Sequence, residues 1–504
     1  MEAGKTRVFF KEEAYALMAD DTFLEFWNYL LQTTSIKYSV FQKPDFLIGW
    51  FNSKKNQFSP FFVLEHHEDK LTGLMCLAIE NENINKTKGN FKIIGAGEYD
   101  AEYQGWLTSH EDQLPFLENA LNQVFGYFPN AILSLRFFLD EDIVKAIKTK
   151  KNLKKWTTIQ EFKRPIAELQ VPQFDKILTK RHLKAKINRF NRAGKVELEI
   201  IQTNDRLLEV LPQIMALYDF RQGALFNKYP SSKFLGESPL FLELLYSGII
   251  QISILKLDNE ITSCIVCYHC NKWVHLAGMI TYSPFYAKLS PGLVHIYLLG
   301  EKFRSEGFEY FDLTPGYDMY KDKFATTTDM VYELTFCKNK IFTYSKRKKV
   351  AFHHFLVNRG IRPMSFDLEI KRKKYLLSNK IKRFFKSLWE KKLVEMPSPA
   401  FKEIEKGKNS IKDLLLFKEE GMLTKWKFLE NAFKMIENGG EFTTYTYKKK
   451  LVACIWFLPS QTQPGLHEED NLESNFNLKL DLNCSYFSKT ISFLKEVLIK
   501  EVSY

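Results

Sequence analysis

No stretch of these 504 residues is apolar for long enough to cross a bilayer as a helix. The first 21 residues place acidic side chains soon after a short apolar pair and contain no apolar core of signal-peptide length, so a soluble, cytoplasmic protein is expected. Cysteine is scarce: seven residues, at 76, 264, 267, 270, 337, 454 and 484, an odd number scattered along the chain as expected of reduced thiols. No phosphate-binding P-loop, Ser-His-Asp order or pair of catalytic carboxylates stands out. A Gly-rich stretch at 94–97, Ile-Gly-Ala-Gly, lacks the strand–loop–helix setting of a dinucleotide fingerprint. Cys264, Cys267 and Cys270 with His269 invite a zinc reading, but on a strand Cys267 faces away from the other two, and no metal is expected.

The chain is rich in apolar residues (45%) and aromatics (15%), enough to bury substantial cores, and too long for a single one. Its 72 Lys and Arg against 60 Asp and Glu give +12, which favours phosphate-bearing ligands, polyanions or an anionic membrane surface. Helical spacing of Phe23, Phe26, Trp27, Leu30 and Leu31 predicts a helix over about 12–35. Three hairpins follow a common pattern at 61–79, 250–267 and 441–458: a β-rich strand, a short charged turn and an apolar strand. They read as three versions of one α/β building block, the first two in tandem. Residues 346–392 are strongly basic and interleaved with Phe, Leu and Trp, reading as a solvated amphipathic helical bridge that ties domains together, with contact to anionic lipid or nucleic acid as the functional alternatives.

The stretch at 282–325 organises the rest. Ser290-Pro291-Gly292 opens a helix to about 305, Gly307 breaks it, and a strand follows at 310–313, ending at Asp312 and leading into Gly316-Tyr317-Asp318-Met319-Tyr320-Lys321. A turn of this kind exposes orphan N–H groups at the positive end of the helix dipole, suited to an anion. Preceded by the basic helix at 180–195, a helix ending near 218–221 and the hairpin at 250–270, this run resembles GNAT-fold acyltransferases of the CelD (cellulose-biosynthesis) type, relatives of the Fem-type peptidyltransferases.

That resemblance implies an α/β (α+β) fold of tandem GNAT-like units with mixed central sheets, at 1–170 and 171–345. A basic helical linker at 346–400 and a C-terminal GNAT-like α+β extension at 401–504 complete it. It implies an N-acyltransferase that moves an acyl group from acyl-CoA, acetyl-CoA for example, to a small-molecule or sugar-linked amine. The pyrophosphate would lie at Ser290, Gly292, Leu293 and Val294. Asp312, Lys321, Tyr320 and His275 are the catalytic candidates, with His295 a further base. Tyr99, Asp100, Tyr103, Tyr286, Gly316, Arg181 and Arg189 are candidates for substrate contact. The Ser-Pro-Gly turn is shorter than the usual GNAT loop, which brings in aminoacyl-tRNA as an alternative donor; a non-catalytic ligand-binding module is the third expectation.

Overall fold

The computed structural model describes residues 5–68, 70–84, 91–111, 113–230, 240–276, 278–316, 318–389, 404–419, 423–459 and 476–482. All three expected hairpins form. Phe58–His67 pairs antiparallel with Lys70–Glu80, Ile250–Leu257 with Glu260–Cys270, and Glu441–Tyr447 with Lys450–Pro459. In the last two, both turn residues are left-handed (Asp258 and Asn259, Lys448 and Lys449), the conformation whose twist matches that of the flanking strands. The strands are apolar on both faces because helices cover both sides, so strict alternation is absent.

The helix expected over 12–35 is two, Glu12–Met18 and Asp21–Thr33. Asp20 divides them: its carboxylate accepts the Phe23 N–H and caps the second helix, which buries Phe23, Trp27, Leu30 and Leu31 on one stripe. The strand Lys5–Phe10, not anticipated, adds to the sheet edge through Val8↔Val63 and Phe9↔Phe62.

Among the described residues, fourteen strands make one mixed sheet. Twelve follow one path: Lys5–Phe10, Phe58–His67, Lys70–Glu80, Phe91–Gly95, Ala131–Phe138, Thr327–Cys337, then Thr157–Glu168, Tyr310–Asp312, Trp273–His275, Glu260–Cys270, Ile250–Leu257 and Val196–Ile200. The second six mirror the first six. Each half has one parallel pair, Phe91–Gly95 with Ala131–Phe138 and Trp273–His275 with Tyr310–Asp312. At the centre the halves trade strands. Thr157–Glu168, next in sequence after the first half, pairs with Tyr310–Asp312 of the second, and Thr327–Cys337, last of the second, pairs with Ala131–Phe138 of the first. The two traded strands also pair with each other, from Thr327↔Ile166 to Phe336↔Thr157.

Helices pack on both faces. Leu114–Tyr127 and Glu141–Thr149 cover one core in the first half, and Pro172–Leu178 with Pro291–Ser305 cover another in the second. Cys264 and Cys270 lie in one core cluster and Cys267 in another, on opposite faces of their strand. A separate four-stranded sheet, Glu405–Lys408, Glu441–Tyr447, Lys450–Pro459 and Phe476–Leu482, belongs to the C-terminal unit.

The C-terminal unit shares a core with the second half. Its helix Lys425–Glu437 lies along Asn204–Phe226, where Phe220 meets Phe433 at 5.6 Å between ring centroids, and Trp426 Nε1 donates to Ala224 O at 3.1 Å. Replacing the buried Phe433 by Ala leaves a cavity in that seam; we expect a loss of roughly 3–5 kcal/mol, read as a drop in the urea midpoint at unchanged slope.

Candidate active site

Trp273–His275 and Tyr310–Asp312 are strands of three residues each, paired in parallel register with His275 opposite Asp312. Both side chains are buried, Asp312 at 0% and His275 at 2% exposure. Leu276 N–H donates to Asp312 O at 2.8 Å, and beyond that bond the strands part: the first leaves for Ile280–Tyr282, which pairs instead with Glu260–Cys270. Asp312 therefore stands where the sheet splays.

One oxygen of that carboxylate collects three donors from three parts of the chain. Asp312 Oδ2 accepts from Tyr103 Oη at 2.5 Å, from His275 Nδ1 at 2.8 Å and from Arg164 Nη2 at 3.0 Å. Asp312 Oδ1 accepts the Thr314 N–H at 2.8 Å. The Arg164 guanidinium sits between the Tyr103 and Trp273 rings, 4.7 Å from each centroid. Tyr103 comes from the first half, Arg164 from a traded strand, and His275 and Asp312 from the second half.

Burial pushes the Asp312 carboxyl up, but Arg164 beside it and the hydrogen bonds from His275 and Arg164 outweigh this and hold it well below the usual carboxylate range. Burial lowers His275; Asp312 pulls the other way, and the net shift is downward, so the ring is neutral near pH 7. With Nδ1–H given to Asp312, the lone pair is on Nε2, which is buried and finds no hydrogen-bond partner.

Lys321 lies beside this cluster and bonds elsewhere. Its Nζ donates to Thr314 O (3.1 Å), Thr314 Oγ1 (3.2 Å) and Pro315 O (3.3 Å), and burial lowers its pKa against the pull of Asp318, Glu102 and Asp312. Thr314 takes a left-handed backbone (φ 62°), costly for a β-branched residue, and is held there by its bond to Asp312. Gly316 (φ 151°) is a position where a Cβ would sit 3.2 Å from Lys321 Nζ. Glu102 faces Arg136 at 3.2 Å; burial raises its pKa, with Arg136 and Lys321 opposing. Tyr320 packs half-buried against the second-half core.

The Ser290 turn forms as expected, with Ser290 left-handed (φ 58°) before the helix Pro291–Ser305. Lys186 Nζ donates to Ser290 Oγ at 2.7 Å, and no atom stands within 4 Å of where a Cβ on Gly292 would be. The N–H groups of Leu293 and Val294 both donate to Ser290 O, at 3.1 and 3.2 Å, so they are spent within the turn and the cradle is narrower than its sequence implies. Tyr286, just upstream, lines a cleft of about 830 Å³ with Phe285, Glu260 and Gln213 on one side and Lys412 and Ile436 of the C-terminal unit on the other.

The remaining candidates lie apart from Asp312. His295 is buried in its helix with Nδ1 on Ser263 Oγ at 2.8 Å. Tyr99 is 71% exposed under the Arg136 guanidinium, and Asp100 accepts from Trp50 Nε1 at 2.9 Å. Arg181 and Arg189 point to solvent on a helix that buries Leu183 and Phe190. Arg164 and Glu102 were not singled out in the sequence. The available signal for Arg164 was a lone arginine entering the apolar run Pro165-Ile166-Ala167.

Residues 179–322 match the family model described as an acetyltransferase (GNAT) domain. The match covers most of the second half, with His275, Asp312, Lys321 and the Ser290 turn but not Tyr103 or Arg164, and the mirrored strand order makes the first half a second GNAT-like unit, giving a tandem. No curated protein matches the chain at a significant level. Among solved structures it is similar to FemX (12% identity, 63% of this chain and 97% of that one, TM-score 0.44). It is also similar to L-PGS from Bacillus licheniformis (13%, 67% and 96%, TM-score 0.40). A tandem GNAT protein from the clavulanic acid biosynthesis pathway gives 8%, 66% and 98%, with a TM-score of 0.39. Scores this low do not bear on substrate.

The buried histidines set a pH dependence. His269 is lowered to about 4 and His295 to about 3, chiefly by burial, and His275 is lowered too. Unfolded histidine titrates near 6.5, so below about pH 6.5 the unfolded chain takes up protons that the native fold refuses. Their contribution is fully present above about pH 6.5 and lost as pH falls toward the native values; that of Asp312, whose native pKa is depressed, is lost below about pH 4. Urea unfolding is expected to show a stability plateau near neutrality, then a decline that begins below about pH 6.5. A flat profile down to about pH 4.5 contradicts the assignment.

Proposed function

We propose that the chain is an acyltransferase, in the CelD-type manner, that moves an acyl group from acyl-CoA to an amine, with His275 as the base. The observation that carries this reading is the His275 ring: Nδ1 fixed on an ionised Asp312, Nε2 buried and unpartnered, at the point where two parallel strands part. A neutral, oriented imidazole has the protonation state required to accept the proton of an attacking amine as its C–N bond forms and the thioester C–S bond breaks. The proton then passes to the departing sulfur. Asp312 and Arg164 orient the ring, and Asp312 stabilises the imidazolium. Coenzyme A supplies an activated thioester; Lys186, Ser290 and Gly292 are the residues that would hold its phosphates, since they combine a cation, a hydroxyl and open space over a glycine.

The narrowed turn also favours a second reading, in which the donor is an aminoacyl-tRNA held by the exposed cations of the helix Arg181–Ala193.

Asp312→Asn is a poor test of catalysis, because it strips Arg164 of its buried counter-charge, leaves only the half-exposed Asp329 at 3.8 Å, and costs roughly 3–5 kcal/mol of stability. His275→Gln keeps a donor toward Asp312 and removes the base. We expect its turnover, followed as free thiol released from acetyl-CoA in the presence of amine acceptors, to fall by roughly 10²–10⁴ with the melting temperature little changed. Lys186→Gln should raise the KM for the donor and leave kcat in place. Unaltered turnover in His275→Gln would remove it from the mechanism. Activity that appears only with charged tRNA, and is abolished by ribonuclease, would select the second reading.

A further inference from the structure

The basic bridge is a helical hairpin. Lys340–Asn358 lies on the traded strand Thr157–Glu168, with Thr343, Val350, His353 and Leu356 buried and Arg347 Nη2 donating to Thr157 O at 2.9 Å. It turns at Gly360 (φ 72°) into Pro363–Trp389. Over 340–389 there are fifteen Lys and Arg and two acids, a net +13 against +12 for the entire chain, so the rest of the protein is close to neutral.

The side of Lys340–Asn358 opposite its buried face is apolar. Ile341, Tyr344, Phe352 and Phe355 share one stripe at helical spacing, and all are exposed, Ile341 by 82%. Cations are set into it: Lys348 Nζ lies 4.5 Å from the Tyr344 ring, and the Arg359 guanidinium 4.6 Å from the Phe355 ring. In the second helix Phe366, Ile370 and Leu377 are exposed at spacings of four and seven, and Phe352 meets Phe366 at 5.4 Å, joining the two stripes into one surface. Of the seventeen exposed large apolar side chains among the described residues, ten lie between 341 and 377. A solvated linker has no use for that concentration, and an RNA-binding arm would not line its outer face with aliphatic side chains.

We propose that this hairpin is a docking surface for an anionic lipid bilayer, lying in the headgroup region with the apolar stripe inserted and the Lys and Arg side chains reaching lipid phosphates. Aromatic and aliphatic groups flanked by cations are the composition that interfacial helices use, and neither component alone gives firm binding. The orientation bears on the candidate site. At the elbow of the hairpin Arg362 Nη1 lies 3.5 Å from Asp318 Oδ1, and the other oxygen of Asp318 is 4.0 Å from Lys321 Nζ. Docking would therefore bring Gly316, Asp318 and Lys321 to the membrane face of the protein, where, on the acyltransfer reading, a headgroup amine could reach them.

The test is co-sedimentation of the full chain with vesicles of phosphatidylcholine alone and of phosphatidylcholine mixed with phosphatidylglycerol, across a salt series. Binding is expected only with the anionic lipid, weakening as salt rises. Lys348→Gln and Lys374→Gln should each weaken it roughly fivefold. The double variant Phe355→Ser, Leu377→Ser, at exposed positions where folding is preserved, should abolish binding that resists moderate salt. No binding to either vesicle overturns the proposal. So does binding that the double variant retains in full, which would make it surface adsorption by charge alone, or a preference for single-stranded RNA over anionic vesicles.

Discussion

Everything near the candidate site depends on one charge buried away from the protein surface. Moving a carboxylate such as Asp312 into the interior costs several kcal/mol, and three-residue strands supply little pairing to offset it. The cost is met by concentrating donors. Tyr103, His275 and Arg164 converge on one oxygen and the Thr314 N–H takes the other. Because those donors come from both halves, the carboxylate can be solvated by protein only when the halves are assembled. The same contacts fix the His275 tautomer, force the left-handed Thr314 and so aim Lys321 into its own loop. Stability and the geometry of a base are consequences of one ion.

Local patterns made much of this architecture readable. The hairpins were legible because two apolar strands around a charged turn have few other ways to fold, and the helix at 291–305 because its turn, its stripe and Gly307 agree. Asp312 and His275 were legible as polar groups in otherwise apolar short strands. What was not legible is non-local. Nothing in Thr157–Glu168 says that its neighbour will be a strand some 150 residues later, and so Arg164 has no sequence reason to meet Asp312. The break at Asp20 shows the smaller case, in which a single cap outweighs a continuous apolar period.

The distribution of charge divides the molecule differently from its strands. The sheet and its helices carry almost no net charge, while the hairpin at 340–389 carries an excess of thirteen positive charges and most of the exposed apolar side chains. Long-range attraction to an anionic partner therefore acts through one arm and orients the molecule as it approaches. The arm is rooted on a traded strand, so that orientation is transmitted to the centre of the sheet.

The exchange of strands also bears on the order in which the protein is made. When the ribosome has completed the first half, the strand Ala131–Phe138 still lacks the neighbour on one edge, because that neighbour is Thr327–Cys337. The bare edge must wait while the entire second half is synthesised, and Thr157–Glu168 waits meanwhile for Tyr310–Asp312. Neither half reaches its finished sheet as a nascent domain on its own; both close together, after residue 337 has emerged, which gives this chain a long interval in which a chaperone has an open strand to guard.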